Sequence, residues 1–66
     1  AIQLWLCINK FADVPQGQWS AWCDGKYEQP TIDAVKKMQA ALLPGTTYPG
    51  EVWSDDYEFM RTHNPL

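Results

Sequence analysis

Residues 31–42, TIDAVKKMQAAL, are closed at both ends by proline: Pro30 stands before them and Pro44-Gly45 after them. Inside this bracket the apolar residues Val35, Met38 and Leu42 recur at spacings of three and four, the period of one helix face. Proline cannot donate a backbone N–H, so neither end can be extended into a longer helix. A helix of a dozen residues reaches only about 18 Å. In a chain of 66 residues with no alternating strand pattern, that short helix must be one member of a small all-α bundle. Thr31 is the expected N-cap, with its hydroxyl on a first-turn N–H. Asp33 sits where the helix dipole favours a carboxylate. Ala34 and Ala41 supply small packing residues, and Lys36 and Lys37 face water.

The flanking segments complete a three-helix reading. Residues 1–12, AIQLWLCINKFA, place Ala1, Leu4, Ile8 and Phe11 on one helical stripe with Cys7 beside it. Ile2, Trp5 and Leu6 are apolar as well, so this helix is covered on two faces or keeps an apolar flank for a partner. Asp13, Val14 and Pro15 end it. Residues 13–30 then read as one long connection with an Asp24-Gly25 turn. Residues 44–53, PGTTYPGEVW, form a second turn-rich loop with two Pro-Gly pairs. Ser54 caps a third helix, Asp55 and Asp56 lie in its first turn, and Tyr57 and Met60 face inward, joined by Phe59 or Trp53. The segments around Tyr27 and Tyr48 pair briefly at most. The chain starts on Ala1, within a helical pattern, which points to a single module, residues 1–66, cut from a longer polypeptide.

Charge and cysteine content narrow the partners. A net charge of -3 is wrong for a nucleic-acid binder, which needs clustered Lys and Arg against phosphates. The longest apolar run is too short to span a bilayer. Cys7 and Cys23 admit two readings. A bridge would close a loop of roughly 15 residues and add about 3 kcal/mol to a domain too small for a large core. Otherwise Cys7 is a small core residue and Cys23 a free thiol near a turn. Two Cys and one His make a poor metal set, and neither a metal nor a cofactor is expected. No catalytic set stands out either. Asp55 and Asp56 are adjacent on a helix and cannot face each other across a substrate.

The order of these features resembles a peptidoglycan-binding domain of the small three-helix type found on bacterial cell-wall hydrolases and phage endolysins. Leu4, Ile8 and Asn9 fit its first helix, Asp24-Gly25 with Tyr27 its turn, and Thr31, Ala34, Val35, Met38 and Gln39 its second helix. Gly50 and Trp53 fit the second turn loosely. Trp5 stands where that family carries Gln, and Glu28 where it carries a turn Gly. The first connection is longer than usual, and its extra residues carry Trp19, Trp22 and Cys23. The resemblance implies a non-catalytic module, outside the cell or on the wall, that targets a wall-degrading domain of the same polypeptide to peptidoglycan or an associated polymer. It also implies that the two loops lie together as a groove. The candidate ligand residues there are Trp19, Trp22, Asp24, Lys26, Tyr27, Tyr48 and Trp53, because flat amphipathic rings suit sugar faces and charged groups suit stem peptides. Taken singly, Trp19 and Tyr48 read as exposed contacts, Trp22 and Trp53 as packing, and Tyr27 as either. The alternative is a module that packs on a protein. It would act through an Ile2, Trp5 and Leu6 patch, or as the pro-segments of some secreted metalloproteases do, although their inhibitory cysteine segment is absent here.

Overall fold

The computed structural model describes residues 1–66 and is all-helical, without strands. Helix α1 spans Ile2–Ile8, α2 spans Trp19–Trp22, α3 spans Gln29–Leu42 and α4 spans Ser54–Thr62; a 3-10 turn at Gln16–Gln18 leads into α2. The expected count of three helices is therefore corrected to four. The long connection after α1 is not loop throughout, because residues 16–22 coil against the core. The radius of gyration is 11.0 Å, close to the ~11 Å of a compact chain of this length.

Helix α1 is shorter than its apolar pattern suggests and turns a different face inward. Trp5, Leu6 and Cys7 are buried, while Ala1, Leu4 and Ile8 are exposed. Three consecutive buried residues are possible because α1 packs against α2, α3 and α4. The Ile2, Trp5 and Leu6 patch of the alternative reading is thus taken up by packing: Leu6 is fully buried, the Trp5 indole donates to the His63 carbonyl at 3.1 Å, and Ile2 is half-buried against the core. The Trp5 ring also lies parallel to Phe11 at 5.8 Å. The helix stops at Asn9, before the Asp13-Val14-Pro15 signal. Lys10 takes a left-handed φ of 65°, and Lys10 N–H and Phe11 N–H donate back to the carbonyls of Cys7 and Leu6. This is a Schellman closure with lysine in the usual glycine position.

Helix α3 begins two residues before the expected start. Glu28 is the extended N-cap residue and Pro30 lies in the first turn, where a missing N–H is harmless. Thr31 is a buried third residue, not a cap. Val35, Met38 and Ala34 form the inward stripe as expected, Leu42 is half-buried, and Ala41 is exposed. Helix α4 begins at Ser54 with Trp53 as N-cap, and the Trp53 N–H donates to the Asp56 carboxylate at 2.9 Å. Met60 and Asp56 are buried, but Tyr57 points outward.

The core joins Trp5, Leu6, Cys7, Ala12, Ala34, Val35, Met38 and Met60, with Trp19, Trp22 and Cys23 packed on its flank. Both cysteines are free thiols. They are neighbours: burial first, then the Cys23 thiol beside it, raises the Cys7 pKa from 9.0 to about 11. No helix is long and apolar enough to cross a membrane.

Candidate functional site

Two glutamines organise the surface between the helices. Gln39, on α3, is almost completely buried. Its side-chain oxygen accepts the Gly50 N–H at 2.8 Å, and its amide donates to the Glu51 carbonyl at 2.7 Å. Gln3, on α1, repeats this on the first turn. Its oxygen accepts the Gly25 N–H at 2.9 Å and its amide reaches the Lys26 carbonyl at 3.2 Å. Both glycines are left-handed, with φ of 79° and 87°. Three residues after each glycine comes an extended N-cap, Glu28 or Trp53. Three residues further on comes a buried polar residue, Thr31 or Asp56. The same helix–glutamine–glycine–helix unit is built twice, with α3 shared between the two copies. Gln3 and Gly25 are 22 residues apart, whereas Gln39 and Gly50 are 11 apart. The extra length is the segment that coils into the 3-10 turn and α2.

The first turn is tightly held. The Gln3 amide also lies 3.0 Å from the Thr31 hydroxyl and 3.2 Å from the Asp24 carboxylate. Asp24 accepts the Lys26 N–H at 2.9 Å. That backbone donor, with the Gln3 amide next, holds the Asp24 carboxyl below its ordinary value. Nothing in the sequence marks Gln3 for this role, since its only signal is polarity beside an apolar stripe.

Six of the seven candidate residues fall into three groups. Trp22, Asp24 and Lys26 line one hollow with Gln3, Glu28 and Thr31. Lys26 and Tyr27 line an adjoining one with Tyr57. Tyr48 and Trp53 stack on each other with ring centroids 4.5 Å apart and planes inclined by 24°. Trp19 joins none of these. It sits on the side of the molecule lined by Cys7, Ala12 and Val14, and its indole N–H is bound to the Val14 carbonyl at 2.9 Å. Its expected exposure is corrected: the ring packs on the core. Trp53 is corrected in the opposite sense, being 50% exposed. Tyr48, at 42%, is exposed as expected, and Tyr27 is exposed to a similar degree.

Tyr27 ties the two turns together. Its hydroxyl donates to the Gly50 carbonyl, so the segments around Tyr27 and Tyr48 meet through a side chain rather than through strand pairing. Partial burial, then the Asp56 and Glu51 carboxylates, raises the Tyr27 pKa and keeps the phenol a donor. Gly50 leaves no room beside it. A Cβ there would lie 2.9 Å from Ile32 Cγ2 and 3.2 Å from Lys36 Cε. No three His, Cys, Asp or Glu side chains gather as a metal site. No protein-family profile, curated protein or solved structure matches this chain.

Proposed function

We propose that this chain is a non-catalytic module that binds bacterial cell-wall peptidoglycan and holds a wall-degrading domain of the same polypeptide against its polymer. The observation that carries this reading is an open aromatic surface on a braced frame: the exposed Tyr48–Trp53 stack beside a turn fixed by Gln39 and Tyr27. Such a surface suits an extended polymer better than a small substrate. The paired clamps also support the likeness to the three-helix wall-binding type, with α1, α3 and α4 as its frame and α2 as an addition. In that comparison Trp5 took the place of a first-helix glutamine. Gln3, two residues earlier, does on α1 what Gln39 does on α3. The module would work outside the cell or on the wall, where the neighbouring Cys7 and Cys23 thiols are the pair available for a bridge between α1 and the end of α2.

Cosedimentation with purified cell walls tests the proposal. The expected result is pelleting with walls stripped of accessory polymers as well as with intact walls. Pelleting with intact walls alone would shift the ligand to a secondary polymer, and failure with both would reject wall binding. A protein-interaction module is the second reading. It rests on Leu4 and Ile8, which are exposed one turn apart on α1. Concentration-dependent sedimentation without wall binding would favour it.

A further inference from the structure

We propose that the Tyr48–Trp53 pair is a sugar-stacking subsite that takes the face of an N-acetylhexosamine ring in an uncharged stretch of glycan. This rests on the wall-binding reading and names which part of the polymer is held, and where. The indoles of this chain are not equivalent. Those of Trp5 and Trp19 are occupied inside the protein, donating to the carbonyls of His63 and Val14. The Trp22 ring is half-buried against the core. Trp53 is the most exposed of the aromatic residues, and only its backbone is hydrogen-bonded, the N–H to Asp56 and the carbonyl to the Tyr57 N–H. Its indole N–H makes no hydrogen bond within the protein, and half of the residue's surface is open. Tyr48 is stacked on one face of the ring, which braces the indole and leaves its opposite face for a sugar.

Flatness alone would suit many ligands, and charge narrows the choice. From Thr46 to Met60 the chain has no Lys or Arg and carries Glu51, Asp55, Asp56 and Glu58. Asp56 is buried and Glu58 is paired with Arg61, so the open charges are the Glu51 and Asp55 carboxylates against the single Lys36 ammonium, and a phosphate-bearing wall polymer would meet more like than opposite charge. A neutral pyranose would not. Its C–H face carries slight positive charge and meets the negative face of an aromatic ring. Its hydroxyls can donate to the exposed Glu51 and Asp55 carboxylates, which flank Trp53 along the chain. Lys36, whose stem lies against Gly50, adds a donor suited to an acetamido carbonyl. The platform is also pre-organised, since Gly50 is fixed from one side by Gln39 and from the other by Tyr27. A pre-ordered loop loses little entropy on binding.

The test is titration of the 66-residue chain with an N-acetylglucosamine tetramer, followed by tryptophan fluorescence and by NMR shifts. Shifts are expected at residues 46–55, with Kd raised roughly tenfold by Trp53→Ala, in line with ~1–2 kcal/mol for an aromatic contact. Trp53→Tyr should keep most of the affinity, Tyr48→Ala should weaken it, and Trp22→Ala should not change it. Thermal melts of each variant check that the fold is intact. Equal tetramer affinity in wild type and Trp53→Ala, or shifts confined to the Trp22, Asp24 and Lys26 hollow, would overturn the subsite. So would competition by polyglycerol phosphate where the tetramer has no effect. If wall pelleting persists under those outcomes, the wall-binding reading survives without the subsite. If pelleting fails altogether, both fall.

Discussion

Single residues hold this domain in ways that exposure patterns alone would not suggest. Gln39→Ala would leave the buried Gly50 N–H and the Glu51 carbonyl without partners, at about 1–3 kcal/mol for each group truly sealed from water. A loss of roughly 2–4 kcal/mol is expected in urea melts, and Gln3→Ala, on a more open turn, should lose less. Lys10 is the opposite case. Its left-handed backbone disfavours any residue with a Cβ, so Lys10→Gly should stabilise the fold by about 1 kcal/mol. Alkali should weaken the protein. The folded state holds the Cys7 proton more tightly than the unfolded chain, so that contribution is fully present below pH 9.0 and is lost as pH rises towards about 11. Tyr27, also raised, acts in the same direction at higher pH. Urea midpoints measured between pH 7 and 11 should fall over this range, and Cys7→Ala should flatten the first part of the fall. Gln39 and Asp24 were visible in the sequence as residues of helix and turn. Their distant partners were not, because a hydrogen bond spanning 11 or 21 residues leaves no local trace.

At the scale of elements, the sequence was most informative where punctuation and periodicity agreed. The stripe of α3 and its stop before Pro44 were legible from Pro30, Val35, Met38 and Pro44-Gly45. Its start was not, because proline is equally at home just before a helix and inside its first turn. The face of α1 was misjudged for a different reason. Six of its seven residues after Ala1 are apolar or small enough to bury, and only the tertiary neighbours decide which three do so. Helix α2 escaped notice because four residues carry too little periodicity to separate a helical turn from a loop. Gly50 is where element geometry is least forgiving. Gly50→Ala would force a left-handed alanine against Ile32 and would move the Tyr27 acceptor. A melting temperature lowered by several degrees is expected, together with loss of tetramer binding.

For the whole molecule, all-α architecture and small size followed from length and helix punctuation, but the site did not. Four of the seven candidate residues, Trp22, Asp24, Lys26 and Tyr27, do lie beside one another around the first turn. The inserted segment looked like the place where specificity would reside, because it is rich in Trp. In the structure that segment spends Trp19 on packing and half-buries Trp22, and the open indole, Trp53, lies on the second turn. Composition could not separate the two, since tryptophan serves cores and contact surfaces alike. On the wall-binding proposal, the module would act within a longer polypeptide by raising the effective concentration of an attached domain at the wall. Removing it should lower the hydrolysis of intact walls by the attached domain and leave the hydrolysis of small soluble muropeptides unchanged, as a turbidity assay beside a soluble-substrate assay would show.

The doubled glutamine clamp has a consequence for how such a domain can vary. Each glutamine grips two main-chain atoms, a glycine N–H and the carbonyl of the next residue, and Gln3 alone adds two side-chain partners, Thr31 and Asp24. The part common to both, the grip on the glycine and the next carbonyl, is a socket that is blind to side chains. Any plug with a left-handed glycine at the right place will seat in it, whatever length of chain leads up to that glycine, and this molecule already seats two plugs whose lead-ins differ twofold in length. Recognition surfaces can therefore be exchanged in the lead-ins and beside the plugs while the helices that carry the sockets stay as they are.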